Sequence, residues 1–139
     1  MEYEEARYRE IQSVIENVPV GICVYRSFGG TTLCVASNSA CADMLGREDL
    51  TGKTPEDMVQ MTHPDDRERC RQEAIALLRK NGRSSGTYRM YHAKRQRYQW
   101  LRLDGRIVPQ PDGTHYTYVT YTDIHELKEN ELRLQAEYE

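Results

Sequence analysis

Apolar residues recur along this chain with two different periods, and the points where the period changes mark its elements. Tyr8, Ile11, Val14, Ile15 and Val18 stand three and four apart among Glu and Arg and stop at Pro19, the pattern of an amphipathic helix. From Pro19 the period shortens. GICVYR and TTLCVAS are β-branched runs on either side of Phe28-Gly29-Gly30, which predicts a hairpin of two antiparallel strands. Asn38 and Ser39 cap a short helix from Ala40 to Leu45 that Gly46 ends, and Thr54-Pro55-Glu56-Asp57 opens another.

His63-Pro64-Asp65-Asp66 starts the longest central helix, with Pro in the first turn and two carboxylates against the positive end of the helix dipole. Cys70, Ala74, Leu77 and Leu78 form its apolar stripe, and Asn81-Gly82 is its stop signal. Three alternating stretches follow: Gly86 to Ala93, Tyr98 to Val108 and His115 to Thr122. Turns at Lys94-Arg95-Gln96 and from Pro109 to Gly113 part them. Asp123 to Glu126 has capping-box spacing, and Ile124, Leu127, Leu134 and Tyr138 lie on one seam of a last helix. The order predicts an α+β domain, five strands with helices inserted after the second. Residues 1–18 form the first helix, 19–122 the core, and 123–139 a linker helix leading to an output domain that this segment lacks.

A chain of 139 residues has room for one domain. Charge divides it into acidic ends, −3 over residues 1–18 and −4 over 123–139, around a middle of +4. No apolar run approaches a membrane span and the start is acidic, so a cytoplasmic segment without membrane contact is expected. The four cysteines show no CxxC spacing and are expected as free thiols.

Catalytic patterns are missing: there is no GxSxG, P-loop or HExxH, so this segment is not expected to be an enzyme. Consecutive residues at a helix start point in different directions, so His63-Pro64-Asp65-Asp66 reads as capping rather than a metal or acid–base cluster. His92 and His115, in a strand and beside a turn, read as solvated. With His63 and Cys70 they are the candidate haem ligands, and haem is not expected. NSACADMLG is no covalent-flavin neighbourhood, so no cofactor is expected, though an unidentified small molecule is. Residues 79–106 hold nine Lys or Arg interleaved with Tyr88, Tyr91, Tyr98 and Trp100. In a chain with pI near 5.8 they read as solvated sheet edges, with no nucleic-acid partner.

Both faces of the sheet are partly apolar. Tyr98 and Trp100 share one side of their strand while Leu101 and Leu103 share the other, and Tyr116 and Tyr118 oppose Val119 and Tyr121. One face can close a pocket under the inserted helices; the other needs the terminal helices or a second subunit as its cover.

Taken in order, certain residues resemble a PAS domain of the bacterial sensory-box group, over 8–130. They are Pro19-Val20-Gly21-Ile22, Asn38-Ser39-Ala40 with Leu45-Gly46, His63-Pro64-Asp65-Asp66-Arg67, Tyr98-Gln99-Trp100-Leu101 and Thr122-Asp123-Ile124-His125. The resemblance implies a five-stranded antiparallel sheet in the order 2-1-5-4-3, helices over one face, and coupling to a histidine kinase or diguanylate cyclase output domain. His125 departs from the family's closing Asp-Ile-Thr, which puts the bond made by that Thr in question.

The expected function is sensing: a small ligand or a second protomer binds, and the C-terminal helix transmits the change. The rival is a constitutive dimerisation module without a ligand. The expected pocket draws on Asn38, Met44, Met58, Tyr88, Met90, Leu101, Leu103, Val119 and Tyr121. Asp123 and Ile124 would transmit the signal. Tyr8, Ile11, Ile15, Trp100 and Tyr118 would make a homodimer contact. Freshly purified protein should be colourless; a stoichiometric Soret or flavin band in its absorption spectrum would overturn the expectation of no pigment.

Overall fold

The computed structural model describes residues 2–79 and 82–138, so Asn81 of the expected helix stop lies outside the described residues. Ten elements follow one another: α1 (Glu2–Glu16), β1 (Gly21–Phe28), β2 (Thr31–Ser37), α2 (Ser39–Leu45), α3 (Pro55–Gln60), α4 (Pro64–Leu77), β3 (Arg83–His92), β4 (Arg97–Pro109), β5 (His115–Asp123) and α5 (His125–Glu137). The strands form one antiparallel sheet in the order β2-β1-β5-β4-β3, as expected.

Strand β3 lies at an edge, where unpaired N–H and C=O groups would be left open. The segment joining α3 to α4 covers part of it. Tyr91 N–H donates to the Met61 carbonyl at 2.7 Å, and His63 N–H donates to the Arg89 carbonyl at 2.8 Å.

Each face of the sheet has its own apolar cluster. The inner one gathers Cys23, Tyr25, Leu45, Met90, Leu101 and Tyr121 under the inserted helices. On the outer face, Ile15 of α1 packs with Val24, Ala36 and Tyr116, and Tyr8 and Ile11 join at the margin. The N-terminal helix thus covers its own sheet. Val14 is turned about 100° from Ile15 and is 69% exposed, so it leaves the expected apolar seam.

The Asn38 side chain joins α1, β1 and α2. Its Oδ1 accepts from Ile22 N–H at 2.9 Å and from Cys41 N–H at 3.1 Å, the second bond capping α2. Its Nδ2 faces three carbonyls, those of Val20 at 2.8 Å, Ile15 at 3.0 Å and Val18 at 3.4 Å. Gly46 ends α2 with φ +65°, and a Cβ there would collide with the His92 imidazole.

His92 corrects an expectation. It is buried, its Nε2 donating to the Asp43 carbonyl at 2.9 Å while its Nδ1 accepts from Arg95 N–H at 3.0 Å. Its parity sends the ring inward with Met90, onto the end of α2.

The start of α5 is a second correction. Asp123 ends β5 and its Oδ1 accepts from His125 N–H at 2.9 Å, two residues on, instead of from Glu126. Ile124 occupies the N-cap position without a side-chain cap. The ladder explains the delay: Ile124 N–H still donates to the Trp100 carbonyl at 3.1 Å, so the backbone turns helical only afterwards. None of α5 is buried, and the expected seam of Leu127, Leu134 and Tyr138 is exposed.

Asn38→Ala removes the cap and strips buried and part-buried backbone groups of a partner, the buried ones costing about 1–3 kcal/mol each. Urea unfolding should show a loss of at least about 3 kcal/mol, larger than the 0.5–2 kcal/mol of an ordinary N-cap. A loss within that ordinary range would reduce Asn38 to a cap.

Candidate ligand-binding cavity

A cavity of about 310 Å³ lies between α3, α4 and the inner face of the sheet, with largely apolar walls. Met58 and Val59 of α3 form one side, Cys70, Ala74 and Leu77 of α4 another, and Tyr25, Tyr88, Leu103, Val119 and Tyr121 rise from the strands. Two strand glycines are part of the lining, each giving room to a neighbouring side chain. A Cβ on Gly86 would run into the Tyr88 hydroxyl, and one on Gly105 would come within 2.7 Å of Ser84 Oγ and 3.5 Å of Leu77.

Tyr88 supplies one of the polar groups in the lining. Its hydroxyl makes no hydrogen bond among the described residues, and burial pushes its pKa up to about 12. It therefore stays a neutral phenol, able to donate to a ligand at physiological pH. Burial likewise raises Tyr25 and Tyr121 well above the usual phenol range. All four cysteines are free; Cys23 and Cys41 have sulfurs 3.4 Å apart. Burial pushes the Cys70 thiol up, so it meets the cavity as a neutral, weakly polar wall. Among the described residues, no group of three or more His, Cys, Asp or Glu is arranged to hold a metal ion.

Asp66 ties the start of α4 to β3. This buried carboxylate accepts from Arg89 N–H at 2.8 Å, from its Nε at 3.0 Å and from its Nη2 at 2.8 Å. The Arg89 guanidinium also lies 5.2 Å from the centre of the Trp100 ring on β4. Lys128 of α5 approaches the same ring at 5.2 Å. Trp100 completes the junction with its backbone, donating its N–H to His125 Nδ1 at 3.1 Å and accepting from Ile124.

A family model for the PAS fold matches residues 35–122. The chain belongs to the PAS family. No curated protein matches it in sequence. Solved structures share its fold at low identity. The N-terminal domain of a diguanylate cyclase with a PAS/PAC sensor from Marinobacter aquaeolei is 18% identical with a TM-score of 0.64, the match covering 77% of this chain and 98% of that one. A sensory box histidine kinase/response regulator from Burkholderia thailandensis is 18% identical with a TM-score of 0.68, covering 93% and 95%. A LOV protein from Rhodobacter sphaeroides is 16% identical with a TM-score of 0.69, covering 89% and 69%.

In this PAS domain five of the nine expected pocket residues line the cavity: Met58, Tyr88, Leu103, Val119 and Tyr121. The other four lie outside it. Asn38 has its polar atoms engaged by the backbone around α2, and Met90 and Leu101 are packed into the solid part of the inner cluster, with Met44 at its margin. Sequence reading missed the wall from α4 and the two glycines. Gly86 and Gly105 in mid-strand were the available signal, since glycine there marks a close approach.

The other expected residues are placed as follows. Tyr8, Ile11 and Ile15 pack on the domain's own sheet, and Trp100 and Tyr118 are half-buried on its outer face. At the departure from Asp-Ile-Thr, the His125 ring makes no hydrogen bond to the start of α5 among the described residues and instead accepts from Trp100 N–H of β4 at 3.1 Å.

Burial alone would raise the Asp66 carboxyl, but the Arg89 guanidinium and N–H outweigh it and hold it down to about 2. A depressed carboxyl pKa adds stability that is fully present above the unfolded value near 3.9 and disappears as pH falls through the folded value. Melting temperature should therefore fall between about pH 4 and pH 2, and Asp66→Asn should lower it at pH 7 while flattening that acid limb. An unchanged acid limb in Asp66→Asn would show that another carboxylate controls it.

Proposed function

We propose that this PAS domain is a sensory module, without catalysis of its own, that binds a small and mainly apolar ligand and signals through α5. The cavity carries the reading: about 310 Å³ of largely apolar space with the neutral Tyr88 phenol in its wall suits an uncharged ring compound with one hydrogen-bond acceptor. The output domain would be of the histidine kinase or diguanylate cyclase type, by analogy with two proteins that share this fold.

The route outward is short. Thr117, Val119 and Tyr121 of β5 line the cavity, and Asp123 and Ile124 join that strand to α5. A ligand that shifts β5 against β4 moves Ile124 and His125 on Trp100, and with them the first turn of the helix. A homodimer belongs to the same reading, built on the outer face through Trp100 and Tyr118 beside α1. Because Tyr8, Ile11 and Ile15 already face the sheet, they would shape that contact by holding α1 in place.

Indole and 1-naphthol are suitable neutral probes. At one hundred times its dissociation constant a ligand adds about 2.7 kcal/mol, a rise of several degrees in melting temperature for a domain of this size. Val119→Trp should fill the cavity and abolish the rise. If neither probe stabilises the domain and native mass spectrometry finds no retained small molecule, the dimerisation reading replaces the sensory one.

Signalling has a separate readout in hydrogen exchange across α5. Bound probe should change the exchange of residues 125–130, and Asp123→Ala should remove that response with the cavity still occupied. A normal response in Asp123→Ala would leave Asp123 with a purely local role.

A further inference from the structure

Helix α3 has a second concave surface on its far side. Arg47, Lys53, Asp57, Gln60, Met61, Tyr91 and Tyr98 line a concavity of about 420 Å³ that shares no lining residue with the apolar cavity. Its floor comes from the loops around α3 and its far wall from the β3–β4 hairpin.

The Arg47 Nε is buried and has no acceptor among the described residues. Neither the Arg47 guanidinium nor the Lys53 ammonium forms an ion pair or side-chain hydrogen bond among them. Asp57 fills the role only in part: the Thr54 hydrogen bonds and, after them, the Lys53 charge hold its carboxyl down, but it forms no ion pair with Lys53 among the described residues. Its Oδ2 accepts from Thr54 N–H at 2.8 Å in the capping box of α3. Tyr91 and Tyr98 stand edge to face at 5.3 Å, a ring surface beside the two cations. A buried donor without a partner costs free energy that a bound acceptor recovers, and a guanidinium's fork of donors matches an oxyanion.

We propose that this concavity is a binding site for a small organic oxyanion, a carboxylate or phosphate held by Arg47 and Lys53 with its flat body against Tyr91 and Tyr98. Two cations, neither in an ion pair among the described residues, against one carboxylate leave the lining with a net charge near +1, suited to a monoanion. The ring wall selects for an aromatic acid over a bare ion. The site is independent of the apolar cavity, so its failure would leave the sensory reading untouched.

The test is a nitrogen–proton NMR titration of the folded chain at constant ionic strength, following the Arg47 Nε–H signal and the amides of 47–60, 91 and 98. Benzoate and inorganic phosphate are the probes, with chloride as reference. Saturable shifts with benzoate, absent with chloride, are expected. Saturation by phosphate as well would widen the class to oxyanions in general. Arg47→Gln and Lys53→Gln should each weaken binding at least tenfold. Each variant's unperturbed spectrum elsewhere would show that it is folded. Shifts no larger than those of chloride, or unchanged affinity in both variants, would overturn the proposal.

Discussion

One buried amide holds the domain's corner together. The Asn38 side chain meets two N–H groups and three carbonyls from four stretches of chain that share no hydrogen-bond ladder at that point: the end of α1, the connector at Val18 and Val20, the start of β1 and the first turn of α2. Where the chain enters and leaves the first hairpin, backbone groups are buried with no strand to pair them, and burial without a partner is costly. An amide has both donors and acceptors, so it satisfies this mixed set where a carboxylate or hydroxyl would not. The seat of α2 on β1 follows, and Gly21 permits it: a Cβ there would lie 3.0 Å from the Cys41 backbone.

From that corner the sheet divides its work between faces. The outer face is closed over β1 by α1, which also brings Glu4 to the buried Arg26 at 3.9 Å. The inner face is solid near α2 and hollow near α4. The hollow lies beneath the C-terminal half of α4, whose N-terminal end is tied to β3 by Asp66 on Arg89, and Gly86 and Gly105 give room there to the Tyr88 and Ser84 side chains. Helix α3 stands between this hollow and the polar concavity beyond, with Met58 and Val59 on one side and Asp57 and Gln60 on the other. A displacement of α3 would be felt in both.

The exit helix contrasts with these well-packed parts. It buries no side chain and is held at its root by the Trp100 backbone, the His125 ring and the approach of Lys128 to the indole. Few buried contacts mean a low local stability, which is what a segment must have if a small movement of a strand is to redirect it.

Much was legible in the sequence because it rests on local chemistry. The period change at Pro19, the capping residues Asn38 and Thr54, the Pro64 start of α4 and the alternation through β3, β4 and β5 each depend on neighbours within a few residues, and all appear where expected. Parity of the strands also separated Leu101 and Leu103 from Trp100. What the sequence could not carry was distance between elements. Asn38 reads equally as a cap or a pocket wall, Met90 and Val119 share an inward parity yet only Val119 meets the cavity, and Asp123 forms a capping pattern that the β4–β5 ladder pre-empts by one more backbone bond. Those outcomes turn on how far α4 stands from the sheet and how long the ladder runs, which are set by contacts among residues far apart in the chain, and only the tertiary structure decides them.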